Sequence, residues 1–237
     1  MKNTLTLYQH GTLALLVPGL LRGTMTMGDL LAHGDTGIGT GEGLDGELII
    51  LDGVAYQVQA SGAVNIVGND FLLPFGNAHW ADYQPKKTVT NLSKQRVDRQ
   101  VPKDFSAENT FFSIKITGKF SQVITRAVKK SDPPYQTLAQ TADKQQLFHQ
   151  KDVAGTLLGY YSPTLFDGIS VGGFHFHFLS VAHDFGGHVL DFSVAQGQLA
   201  IQKFNTLEQH LPTTDPTFMK HSFDHDDIIG SIAKAEK

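Results

Sequence analysis

A chain of 237 residues, 41% apolar and 18% charged, is long and apolar enough to bury a core, which excludes wholesale disorder. Nineteen basic residues stand against 23 acidic ones, a formal charge of −4, so the balance carries no electrostatic footprint for nucleic acid or an anionic membrane. There is no cysteine, which removes disulfide scaffolds, thiolate metal sites, iron–sulfur clusters and thiol nucleophiles together and leaves histidine and carboxylate to hold any metal.

In chain order, Thr4 to Gln9 reads as a strand and Thr12 to Leu20 as a short helix ended by Pro18 and Gly19. The apolar stretch Leu13 to Leu21 is broken by that same pair and falls short of the roughly 20 residues of a membrane span. It also lacks the clean apolar run and small-residue cleavage site of a secretory signal, so a cytoplasmic protein is expected. Met27 to His33 reads as a second helix capped by Thr26. Gly34 to Gly46 is glycine-dense and reads as a loop, and Glu47 to Leu51 with Val54 to Ala60 forms a hairpin turned at Asp52-Gly53. Val64 to Val67 adds a strand, and polar, basic Asn91 to Pro102 is a connector or short helix. Thr110 to Thr117 and Lys119 to Val128 read as two strands divided by Gly118. Gln136 to Gln145 fits a helix and Gln146 to Gln150 a strand. Gly155 to Tyr161, Gly173 to Val181, His188 to Val194 and Gln198 to Phe204 then follow as an antiparallel meander, before a helix-capable tail from Asp226 to Lys237.

The window GGFHFHFLSVAHDFGGHVLDF, Gly172 to Phe192, is the most informative. Four of the 11 histidines fall between His175 and His188, where an even spread predicts about 0.65. In a strand, residues two apart share a face, so His175 and His177 project together while Phe174, Phe176 and Phe178 project the other way into a core. Gly186-Gly187 lets the chain reverse, and an antiparallel neighbour can set His188 on the face of the His-x-His pair. Three neutral imidazoles converging in this way make a metal site with a coordination position left for water or substrate. His183 falls in the connecting loop and is not expected to be a ligand. The His-x-His of a cupin-like oxygenase is followed by a glutamate a few residues on, and here those positions hold Val181 and Ala182. A second cluster, His221, Asp224, His225 and Asp226, lacks a strand frame and reads as surface.

Other chemistry-bearing residues are less specific. Thr40 lies in GIGTGEGLDG, which has neither a Walker pattern nor a GxGxxG before a helix, so it is a hydrogen-bonding candidate rather than part of a phosphate cradle. Glu47 opens a strand and is either a proton donor and acceptor or a surface carboxylate. Arg126, amid strand residues, either pairs with a neighbouring carboxylate or grips a substrate carboxylate.

The blocks GIGTGEGLDGELIILDGVAYQ, KITGKFSQVITRAV with PPY after it, GTLLGY, and GGFHFHFLSVAHDFGGHVLDF resemble, in order and spacing, bacterial α-acetolactate decarboxylase, from Leu5 to Glu236. The resemblance implies an α+β, predominantly β fold with mixed and antiparallel sheets and a few short flanking helices. It implies one unit in two lobes, about 1–105 and a metal-binding lobe about 106–237, assembled as a homodimer. It makes His175, His177 and His188 the ligands of Zn2+, with no organic cofactor. Glu47, Arg126 and Glu236 become catalytic residues, with Thr40 and Arg126 binding substrate. The implied reaction converts α-acetolactate to acetoin and CO2 through a metal-stabilised enediolate protonated stereoselectively. The alternatives are another three-histidine metal enzyme acting on a small oxo or hydroxy acid, and a non-catalytic metal-binding module. Tyr160 and Tyr161 stand where the family often has a single aromatic, which points to an altered pocket wall.

Overall fold

A computed structural model describes residues 2–84, 86–166 and 172–235. The first half supplies strands β1 (Thr6–His10), β2 (Met25–Thr26), β3 (Thr36–Thr40), β4 (Glu47–Leu51), β5 (Val54–Val58), β6 (Val64–Ile66), β7 (Leu72–Leu73), β8 (Phe75–His79) and β9 (Lys86–Ser93). The second supplies β10 (Phe112–Ala127), β11 (Gln146–Ser162), β12 (Gly173–Ser180), β13 (Gly186–Lys203) and β14 (Thr206–His210). The helices are short: α1 (Leu13–Leu16), α2 (Met27–Leu31), α3 (Lys94–Asp104), α4 (Leu138–Ala142), α5 (Pro216–Lys220) and α6 (Ile228–Ala235). Polar side chains close the N-termini of α1 to α5. Thr26 accepts from the Asp29 amide as expected, and Thr137 and Gln140 form a reciprocal capping box on α4.

Two sheets carry the architecture. The first runs β14-β1-β8-β3-β4-β5-β6, antiparallel except for the parallel β1–β14 pair. In the second, β10 pairs with both β11 and β13, so β10, β11, β12 and β13 close on themselves, with β9 added outside β13. Phe112, Phe120, Phe176, Phe178 and Phe192 fill that second unit, covered by Val97 and Val101 of α3. The sheets pack face to face through Ile38, Ile49 and Val58 on one side and Leu158, Tyr160 and Leu179 on the other. Met27 and Leu30 of α2 cover the far side of the first sheet against Leu48 and Ile50. A fourth apolar cluster gathers α1, α4 and α6 through Leu16, Leu138, Ile232 and Ala235.

The predominantly β reading and the hairpin at Asp52-Gly53 agree with this architecture, and the differences come mostly from glycine. Gly34 to Gly46 is not all loop, because Thr36–Thr40 is a fully buried strand. Its glycines serve close approach: a Cβ on Gly37 would lie 2.0 Å from the Asn77 carbonyl oxygen of β8. Gly118 likewise does not divide two strands. It pairs with Gly155 and Gly197 inside one 16-residue strand, where a Cβ would lie 2.3 Å from the Gln196 carbonyl oxygen. In the same way Gln146 to Gln150 and Gly155 to Tyr161 merge into the 17-residue β11, and His188 to Val194 and Gln198 to Phe204 into the 18-residue β13, while the expected strand from Gly173 stands by itself as β12. The first helix is shorter than expected and stops at Leu16, ahead of Pro18. Among the described residues, no helix is long and apolar enough to cross a membrane.

Candidate active site and metal centre

The registers place the histidines together. His177 of β12 lies directly opposite His188 of β13, and on its other side His188 lies opposite Arg126 of β10. Directly opposed residues share a face, so three adjacent strands aim these side chains toward the first sheet, while Phe176 and Phe178 fill the core behind them. Arg126 reaches that face because of an irregularity. Phe112, Ile114, Ile116 and Phe120 all point into the core, and continued alternation would send even-numbered Arg126 with them. The register with β13 shifts between Lys119 and Phe120, between Phe120 and Gln122 and between Ile124 and Thr125, and the extra β10 residue in the second of these exchanges its faces, so that Val123 points to the core and Arg126 to the site.

The three imidazoles fit a metal. His177 Nε2 lies 3.2 Å from His175 Nε2, which lies 3.0 Å from His188 Nδ1. Nitrogens sharing one tetrahedral zinc at about 2.0–2.1 Å are separated by about 3.3 Å. All three donor atoms fall within 4.8 Å of one another, among the described residues the one group of three or more histidine, cysteine, aspartate or glutamate side chains placed to hold a metal ion. His177 Nδ1, 2.8 Å from the Leu48 carbonyl oxygen, must be the protonated nitrogen, which leaves the Nε2 lone pair for a metal. Burial, reinforced by the Arg126 guanidinium, pushes His175 down to about 3. Burial is also the main reason that His177 and His188 titrate well below the ordinary histidine range, with neighbouring histidines and Arg126 adding to it. All three are therefore neutral, the ligand form, at neutral pH.

Opposite them stands the first sheet. Thr40 of β3 pairs with Glu47 of β4, so both side chains share the inner face. The Glu47 carboxylate lies 3.7 Å from Arg126 Nη1 and 3.5 Å from His177 Nε2, and Glu47 and Arg126 are both buried. Thr40 donates its hydroxyl proton to the Gly46 carbonyl at 2.8 Å, so its oxygen has acceptor capacity left for a ligand. These six residues line a cleft of about 460 Å³, part of it open to solvent, and Leu13, Leu16, Phe75, Leu138 and Ala142 supply an apolar wall. That wall was not anticipated from the sequence. Its leucines have helical spacing, but the same signal marks any core helix.

The structure thus brings together Thr40, Glu47, Arg126, His175, His177 and His188. Glu236 lies outside the described residues, while Ala235, the residue before it, is buried in the cluster of Leu16, Leu44, Phe75 and Leu138 that walls the cleft. His183 sits in the β12–β13 turn with its ring 4.6 Å from that of Tyr56, as a non-ligand. His221 pairs with Asp226 at 2.7 Å near the surface. The tyrosine pair does not alter the pocket wall, which corrects the expectation above. The Tyr160 hydroxyl lies between the sheets, 2.8 Å from His79 Nδ1, and Tyr161 stacks on Phe112.

Comparison with known proteins decides the family. The family model for alpha-acetolactate decarboxylase matches residues 7–225. The chain belongs to the α-acetolactate decarboxylase family. The alpha-acetolactate decarboxylase of Lactococcus lactis subsp. cremoris is 37% identical over 238 residues, covering the whole of both chains. That of Streptococcus thermophilus is 36% identical over 241 residues, also covering both completely. Among solved structures, the alpha-acetolactate decarboxylase of Bacillus subtilis strain 168 superposes with a TM-score of 0.93 at 28% identity, over 98% of this chain and 99% of its own. The α-acetolactate decarboxylases are carboxy-lyases, and this chain is an enzyme of that class.

Proposed function

We propose that the chain decarboxylates α-acetolactate to acetoin and CO2 at the cleft between the two sheets, using a divalent metal held by His175, His177 and His188. The observation that carries this reading is the convergence of three neutral imidazoles with a buried arginine and a buried glutamate on one cleft. A divalent cation held by these three imidazoles would supply Lewis acidity for the negative charge left on the substrate oxygens when the carboxyl group departs as CO2. No organic cofactor is needed, because the ketone already activates the bond being broken.

Arg126 binds the substrate carboxylate and holds the carboxyl group over the site, with its charge offsetting the negative charge that develops on the neighbouring oxygens. Glu47, within reach of Arg126 and His177, is placed to take up a proton from solvent and pass it to one face of the enediolate carbon, which makes the product stereoselective. Thr40 orients the substrate by accepting a hydrogen bond, since its own proton is engaged by Gly46. Glu236 is assigned as the second acid, supported by the burial of Ala235 against the residues of the cleft wall. Both sheets contribute to the cleft, so the whole chain acts as one catalytic unit, working in the cytoplasm as a homodimer.

The test is incubation of the purified protein with racemic α-acetolactate, with and without a chelator, following acetoin and CO2. Acetoin from the metal-replete protein, lost on chelation and lost together with bound metal in His177→Ala, is the expected result. Full acetoin release by the chelated protein and by His177→Ala would remove the metal from the mechanism, and no acetoin from metal-replete protein would remove the reaction.

A further inference from the structure

The apolar wall of the cleft belongs to a cluster separate from the three cores, and its construction is rigid. Leu16 and Leu138 present side chains to the cleft while packing with Ile232 and Ala235 of α6 in one cluster. The Leu138 amide donates to the Val17 carbonyl at 3.2 Å, tying α4 to the end of α1. Ahead of α4, the Tyr135 hydroxyl donates to Glu42 Oε1 at 3.1 Å, while Glu42 Oε2 accepts from the Gly23 amide at 3.0 Å. The Ser131 amide adds a 2.8 Å bond to the Gly43 carbonyl. The wall is therefore fastened to the loop that follows Thr40 and cannot retreat from a larger ligand without breaking these bonds.

A substrate whose carboxylate is held at Arg126 and whose oxygens face the histidines must turn its alkyl groups away from the polar side, toward this wall. We propose that Leu138 and Ala142 of α4, with Leu16 of α1 beside them, are specificity-determining residues that set the upper size of the alkyl group on the 2-hydroxy-3-oxo acid the cleft accepts. This rests on the decarboxylase reading above. A fixed apolar wall discriminates by exclusion, and a single methylene in such a pocket changes kcat/KM by about 10–200-fold. Leu138→Ala removes three carbons from the wall, room for the extra methylene of a 2-ethyl homologue, whereas Ala142→Leu adds three and narrows the same space.

The experiment measures kcat/KM for α-acetolactate and for its 2-ethyl homologue on the metal-loaded wild type, Leu138→Ala and Ala142→Leu. The readout is the ethyl-to-methyl ratio, which is independent of the fraction of active protein. Leu138→Ala is expected to raise the ratio by about 10-fold or more and Ala142→Leu to lower it by a similar factor. If one variant fails to fold, the shift in the other decides. A ratio unchanged from wild type in the folded variants, with wild type active on α-acetolactate, overturns the assignment of the wall and leaves the decarboxylase reading intact. A wild type inactive on both compounds overturns the decarboxylase reading itself, and the assignment of the wall falls with it.

Discussion

The buried pair Glu47–Arg126 gives the sharpest test of how the site is held. At 3.7 Å, with side-chain exposures of 9% and 6%, neither charge is well solvated. At an effective dielectric constant of about 20, opposite charges at that separation attract by about 4 kcal/mol. Arg126→Met leaves the carboxylate buried beside neutral imidazoles and is expected to cost about 3 kcal/mol of stability. Glu47→Gln leaves the guanidinium in the same position, at a comparable cost. The double variant strands neither charge, so its loss should fall short of the sum by about 2–4 kcal/mol. Urea denaturation of the four proteins in the presence of a chelator measures that coupling without a contribution from bound metal. Additive losses, with a coupling below about 0.5 kcal/mol, would show that the two side chains do not depend on each other and would refute the account of the site as an electrostatic unit.

Two further expectations follow from the fold. Burial, with Lys115 adding to it, pushes His79 down to about 3, below its ordinary 6.5. The unfolded chain thus binds the extra proton first, so this contribution to stability is complete above pH 6.5 and is lost as the pH falls toward 3. At pH 5 the loss is about 2 kcal/mol. His79→Phe, which keeps the aromatic packing against Tyr83 and Phe204, should shrink the stability difference between pH 7 and pH 5 by about that amount in denaturant titrations, and an unchanged difference would show that His79 is not buried in its neutral form. Gly37→Ala places a methyl group 2.0 Å from the Asn77 carbonyl oxygen and should cost about 3 kcal/mol or more through the forced shift of β3 against β8, whereas a melting temperature equal to wild type would contradict that close packing.

Much of the site is legible in the order of residues because strand geometry is local. The two-residue period decides that His175 and His177 share a face opposite Phe174, Phe176 and Phe178, and the Gly186-Gly187 reversal makes His188 a reachable third donor. The predominantly β class and the Thr26 cap are local in the same sense. Three things were decided only by the folded chain. Gly37 and Gly118 read as breaks, because nothing local tells a glycine that bends the chain from one that admits a neighbouring backbone. The face of Arg126 depended on register shifts set by its partner strands rather than by its own neighbours. The apolar wall exists only because α1, α4 and α6, distant along the chain, pack against one another beside the histidines. Periodicity acts over neighbouring residues and can be read from them, whereas register, close approach and cavity walls depend on partners far away in sequence, which the tertiary structure alone selects.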